Sequence, residues 1–182
     1  MNNYREIDVC RISKSSHLVS VLDLGIQTLT GVFPKSRKDE ITRGPLELVW
    51  CPDSGLLQLK HSYQPSEMYG DNYGYRSGLN QSMVNHLTEK IHYLERLVPL
   101  NPGDVVLDIG SNDATTLKAY STAGIKRIGI DPTGKKFAQF YTDEIKLVPD
   151  FFSREVYHSL EKKAAKIVTS IAMFYDLESP VE

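Results

Sequence analysis

From Asp104 to Ala172 the sequence repeatedly changes its period. The runs DVVLDI, RIGID, IKLVPD and KIVTSIA are short and apolar, and between them stand DATTLKAYSTAG, GKKFAQFYT and SREVYHSLEKKA, which read as helices over 113–124, 134–142 and 153–164. Gly124 closes the first of these helices. Alternation of strand and helix specifies an α/β architecture, a parallel sheet with helices on its faces joined by right-handed crossovers. Four such strands are expected before the chain ends.

Upstream the pattern is different. Residues 81–98, QSMVNHLTEKIHYLERLV, place Val84, Leu87, Ile91, Leu94 and Val98 on one stripe, with Glu89, Lys90, Glu95 and Arg96 mostly off it. This predicts an amphipathic helix, ended by the Pro99 to Gly103 turn. The first eighty residues hold only short apolar bursts, VSVLDLG, LELVW and GLLQL, interrupted by Gly, Pro and Ser. They suit a small β-rich module with irregular loops and a small core. The expected organisation is therefore 1–80 as module and linker, and 81–182 as bridging helix and partial sheet domain.

A formal net charge of -2 gives no positive field for nucleic acid or anionic membranes. No apolar run approaches the ~18 residues of a membrane span. The start, MNNYREIDVCRISK, lacks the apolar centre of a signal peptide, so a cytoplasmic location is expected.

In open α/β sheets, ligands sit beyond the carboxyl ends of the strands. Asp108-Ile-Gly110 lies at such an end, with Asn112 in the same turn, and Gly110 would let a ligand approach without a Cβ in the way. Asp131 ends the next strand, where a carboxylate can accept from both hydroxyls of a ribose. Asp150, after the third strand, is placed to accept from an exocyclic amine, and Ser170 to Met173, with Ala172 among them, would wall the same cleft. A single Asp-x-Gly is a weak signal, since such acids commonly cap helices. The conjunction at successive strand ends is stronger. Ala114 and Thr115 stand where a dinucleotide loop needs small residues against a pyrophosphate, so a ligand with a ribose and no phosphate fits better. S-adenosylmethionine is such a ligand.

The run VLDIGSNDATTL, with IGIDPTG, VPDFFS and TSIAMFYDL, resembles the class I S-adenosylmethionine-dependent methyltransferases, specifically the C-methyltransferases of nucleotide-activated keto-deoxysugars. The resemblance implies a Rossmann-like methyltransferase sheet, a methyl donor and a sugar nucleotide as small-molecule partners. That family usually has Gly at the position of Ala114, which implies a stiffer loop here. The family also carries an amino-terminal zinc-ribbon-like domain with two Cys-x-x-Cys knuckles, the second followed by Gly-Leu-Val-Gln-Leu. Here the knuckles read Cys10-Arg-Ile-Ser13 and Cys51-Pro-Asp-Ser54, with Gly55-Leu-Leu-Gln-Leu59 directly after. Cys10 and Cys51 are the remaining metal-ligand candidates. Serine keeps its proton near neutral pH and is a poor zinc ligand, so zinc is not expected unless His17 or His61 is aimed inward. Apart from the family, both cysteines read as small core residues.

Tyr69-Gly-Asp-Asn-Tyr73-Gly-Tyr75-Arg-Ser-Gly78 resembles the family's Tyr-x-Tyr-x-Ser-Gly segment, which passes over donor and sugar. Without the family, the bland reading, a turn with packed aromatics, is favoured. The resemblance makes Tyr75 the catalytic candidate and Tyr73 a cofactor-packing residue. Methylating carbon requires a base beside the ketone, an enolate and donors to its oxygen. The resemblance places that base and the acceptor pocket in a carboxyl-terminal half with no counterpart in residues 1–182, so the chain is expected to be an amino-terminal portion, inactive alone. Its last strand would be an open edge for self-association. The competing reading is a non-catalytic S-adenosylmethionine-binding or scaffold protein. A nucleic-acid methyltransferase is disfavoured, because Ala-Met-Phe-Tyr replaces the Pro-Pro-aromatic turn that clamps a flipped base.

Overall fold

The computed structural model describes residues 3–29, 34, 36–69, 73–177 and 179–181. These form two compact units, one of residues up to Gly74 together with those from Phe174 onward, the other Tyr75–Met173.

The first unit is built from short antiparallel strands. β1 (Tyr4–Glu6) pairs with β5 (His61–Tyr63), while β2 (Val19–Thr28), β3 (Arg43–Trp50) and β4 (Leu57–Leu59) form a sheet in that order. A single-turn helix α1 (Pro65–Met68) follows. Every residue of β2 is exposed, and the side chains buried in this unit include Cys10, Val49, Cys51 and Gln58. The small core expected from the broken apolar bursts is what this unit has. Gln58, within the GLLQL run, tolerates 5% exposure because both ends of its amide are bonded: Oε1 accepts from Arg11 N at 2.9 Å and Nε2 donates to Val9 O at 3.2 Å.

The second unit opens with α2 (Gln81–Leu97), whose first turn is capped by Asn80 accepting from Ser82 N. Its stripe buries Leu87 and Ile91, and Leu94 and Val98 pack alongside. Then β6 (Val105–Ile109), β7 (Lys126–Ile130), β8 (Ile145–Val148) and β9 (Ile167–Thr169) form a parallel sheet in the order β8-β7-β6-β9. The helices between them are α3 (Thr115–Lys118), α4 (Gly134–Phe137) and α5 (Arg154–Leu160). One cluster of Ile91, Val106, Ala114, Leu117, Tyr120, Ile125, Ile145 and Ile167 brings α2 and α3 against the strands; a second gathers Val105, Leu107, Ile128, Ile130 and Tyr157.

All three helices are shorter than the sequence suggests. The segment expected to be helical to Gly124 leaves the helix after Lys118, because the N–H groups of Ser121 and Thr122 are taken by the Glu95 carboxylate of α2 rather than by preceding carbonyls. α4 tightens into a 3-10 turn over Ala138–Phe140. Asp104 anchors the entry to β6, accepting from Asn101 N and from Lys163 and Lys166. No helix among the described residues is long and apolar enough to cross a membrane.

Candidate functional site

The loops at the carboxyl ends of β6 and β7 meet through a short set of polar bonds. Asp131 is 5% exposed and its carboxylate is nearly saturated. Oδ1 accepts from Thr133 N and Thr133 Oγ1, each at 2.6 Å, and Oδ2 accepts from Asn112 N at 2.7 Å. An ionised oxygen accepts about two such bonds, so one acceptor position remains, on Oδ2. Thr133, two residues after Asp131 in Asp-Pro-Thr, is an Asx-turn partner that the strand-end reading did not single out.

Asn112 is a three-way bracket. With its N–H on Asp131, its side chain accepts from Ser77 N at 3.0 Å and donates to Tyr75 O at 3.1 Å. Asp113 continues the contact, accepting from Gly78 N at 3.0 Å and facing Arg76 Nε at 3.6 Å. A Cβ on Gly78 would lie 2.5 Å from Asp113 Oδ2, so this approach needs glycine. The Tyr75–Gly78 segment is thereby tied by its backbone to the loop after β6, and the Tyr75 side chain stays 49% exposed. Ser111 and Tyr141 brace the loop from beneath: their hydroxyls lie 2.8 Å apart, and Tyr141 donates to Asn112 O. Burial pushes the Tyr141 phenol up, so it remains a donor. Neither Ser77 nor Asp113 carried a site signal by residue type alone. The resemblance marks Ser77-Gly78 as part of the linker motif, whereas the acid after Asn112 gains meaning only once the fold brings it to Gly78.

The remaining candidates divide. Asp108 is buried at 2% exposure and faces inward, accepting from Thr169 Oγ1 at 2.6 Å, and burial pushes its carboxyl up to about 7 despite that bond. Gly110 has φ +73, and the space beside it is taken by Met173, whose Cγ would lie 3.1 Å from an added Cβ. Asp150 is exposed, with Oδ1 accepting from Phe151 N at 2.7 Å. Ser170 reaches only the Met173 sulfur, at 4.0 Å, and Ala172 sits at φ +54 at the mouth of the same loop. Tyr73 belongs to the first unit, where its ring stands 5.5 Å from that of Tyr69; Gly70 to Asn72 of that segment lie outside the described residues. His86 and His92, on α2, join none of these bonds. An open cleft of about 760 Å³ on the helical side, lined by Arg76, Thr88, His92, Lys118 and Phe140 among others, contains none of the strand-end candidates.

In the first unit, both knuckles fold as matched turns. Lys14 N donates to Cys10 O and Gly55 N to Cys51 O, and the residue four places after each cysteine is left-handed, Lys14 at φ 62 and Gly55 at φ 74. Cys10 and Cys51 are free thiols at 0% exposure. Burial opposes ionisation of Cys10, and hydrogen bonds from Ser13 and Ser54 outweigh it, holding the thiol below its ordinary range.

Residues 10–69, which contain both knuckles, match a family model described as "Putative zinc binding domain". Over 155 residues the chain is 28% identical to C-methyltransferase NovU of Streptomyces niveus, covering 84% of this chain and 36% of that protein. Over most of its length the chain is similar to part of a C-methyltransferase. It spans about a third of the length of that curated relative. The match supports the resemblance read from VLDIGSNDATTL and the two knuckles.

Proposed function

We propose that the chain is the amino-terminal portion of an S-adenosylmethionine-dependent C-methyltransferase acting on a nucleotide-activated keto-deoxysugar. In this reading residues 1–80 are a zinc-ribbon-like module with a Tyr-rich linker, and 81–182 a bridging helix with part of a Rossmann-like donor domain in a cytoplasmic enzyme. The observation that carries it is the bracket at Asn112, which draws the loops after β6 and β7 and the Tyr75–Gly78 segment to one point at the sheet edge. Similarity to a named C-methyltransferase supplies the reaction class.

The residues present fit the donor. Asp131 retains one acceptor position for a ribose hydroxyl, Asp150 is exposed and can accept from the adenine amine, and Ser170 stands at the neighbouring strand end. When bound, S-adenosylmethionine supplies a methyl group on a cationic sulfur. The chain's own task is positional: Asn112 and Asp113 hold Tyr75 at the edge of the loop, where its exposed hydroxyl can hydrogen-bond a polar acceptor. Gly110 keeps the loop clear of a Cβ, and Met173 must swing aside for a ligand to use that space. Acceptor recognition and the base are assigned to sequence beyond this portion, so the chain alone should bind the donor without turning over.

Calorimetric titration of S-adenosylmethionine tests the reading. Asp150→Ala, an exposed change, should cost about 1.5–3 kcal/mol of affinity as a lost bond to a charged group. Asp131→Ala should cost at least as much, with circular dichroism separating loss of binding from loss of the loop. Unchanged affinity in both variants would move the donor elsewhere. A methyl-transfer assay over a panel of keto-deoxysugar nucleotides should show no turnover by this chain; product at a rate matching a full-length C-methyltransferase would place the base within residues 1–182.

A further inference from the structure

The four knuckle positions converge across the two turns. Cys10 Sγ lies 3.2 Å from Ser54 Oγ, and Ser13 Oγ lies 3.5 Å from Cys51 Sγ. Ser13 N also donates to Cys10 Sγ at 3.5 Å. Each serine thus contacts the cysteine of the opposite knuckle, tying segments 38 and 44 residues apart. This is the spatial arrangement that four thiolates around one ion would need, carried by a different donor set. Two sulfurs and two hydroxyls do not fit zinc, because the hydroxyls stay protonated and neutral and a structural site takes four Cys or His ligands. The histidines do not complete it. His17 is 61% exposed and turned toward Asp53 at 3.8 Å, and His61 packs edge-on to Tyr4 in β5. Among the described residues no three His, Cys, Asp or Glu gather where a metal could be held.

We propose that this module is a metal-independent knuckle pair, in which the Cys10–Ser54 and Ser13–Cys51 hydrogen bonds do the cross-linking that metal–thiolate bonds do in a tetrathiolate site. The burial of both sulfurs explains why the arrangement persists. Cys10 and Cys51 are among the few side chains the unit buries completely, and the exposed Ser13 and Ser54 reach them from the surface side.

The experiment uses the whole chain. The parent protein, titrated with Co(II), should show no thiolate-to-metal charge-transfer band, and a strong chelator should leave its thermal midpoint unchanged. Ser13→Cys with Ser54→Cys should acquire that band with stoichiometric metal, and its midpoint should then fall on chelation. Ser13→Ala with Ser54→Ala should lower the midpoint of the metal-free protein. Stoichiometric zinc in the parent whose removal destabilises it would overturn the proposal. So would an unchanged midpoint in the double-alanine variant, and so would a folded double-cysteine variant that binds no metal. If the double-cysteine variant does not fold, the chelation and alanine measurements still decide.

Discussion

Replacing Ala114 by glycine should leave stability nearly unchanged, although the residue is completely buried. Ala114 has φ 62 and ψ 17, in the left-handed region, and packs at 0% exposure with Ile91, Val106 and Leu117. Left-handed backbone costs an L-residue about 1–2 kcal/mol, which glycine would relieve. Against this, removing a buried methyl costs about 0.8 kcal/mol. The freer unfolded chain costs a further ~0.4–1 kcal/mol. The terms cancel to within about 1 kcal/mol of zero, whereas a buried alanine in ordinary helix has only the two losses. Ala114→Val should be far worse, because a β-branched residue is strained at this φ and its added volume has no room. Urea denaturation followed by circular dichroism reads both. A loss beyond about 2 kcal/mol for the glycine variant would refute the claim that this position is strained.

Glu95→Ala should destabilise by about 1–2 kcal/mol in the same melts, since it frees the N–H and hydroxyl groups of both Ser121 and Thr122. Burial opposes ionisation of Glu95 but those bonds hold its carboxyl below the usual range, so its contribution is present above the unfolded-state value near pH ~4.3 and is lost as pH falls below it; a wild-type-like acid limb in Glu95→Ala would contradict this. Asp108 has the opposite sign. Its folded carboxyl is raised to about 7, so the protonated form is favoured and stability declines as pH climbs from about 4 toward 7; Asp108→Asn should flatten that decline, and parallel pH profiles would refute the assignment. Met173→Ala should leave the melting transition close to the parent's and strengthen S-adenosylmethionine binding by uncovering Gly110, a weaker titration being the adverse result.

The four parallel strands were legible because each is a short apolar run bounded by turn residues, and the stripe of α2 matches the side chains it buries, whereas β1 (YRE) and β5 (HSY) carry no apolar run to reveal them. Helix lengths were not, because a tertiary acceptor decides where α3 stops: Glu95 lies far from Ser121 in sequence, and its competing bonds have no local signature. In the candidate site, Asp131 is singled out by its position at a strand end, but its near-saturation by Thr133 and Asn112 depends on loop geometry. Gly110 was read as room for a ligand, and the structure puts Met173 there, a neighbour supplied by the loop after β9. The knuckle serines show both sides of the matter. Residue type alone argued against zinc, yet only the fold shows each hydroxyl reaching the opposite cysteine.

The strand order β8-β7-β6-β9 also sets a sequence of events during synthesis. β6, β7 and β8 can pair in the order they emerge, while the other edge of β6 must wait for β9, which aligns Val106 with Ile167 and Asp108 with Thr169. Parallel pairing at such separation closes a long loop and is slow to form. Until then the Thr169 hydroxyl that accompanies Asp108 inside the protein has not arrived. Docking of β9 and completion of the Asp108 hydrogen bonding are therefore one step, which ties the burial of that carboxyl to the slowest pairing of the sheet.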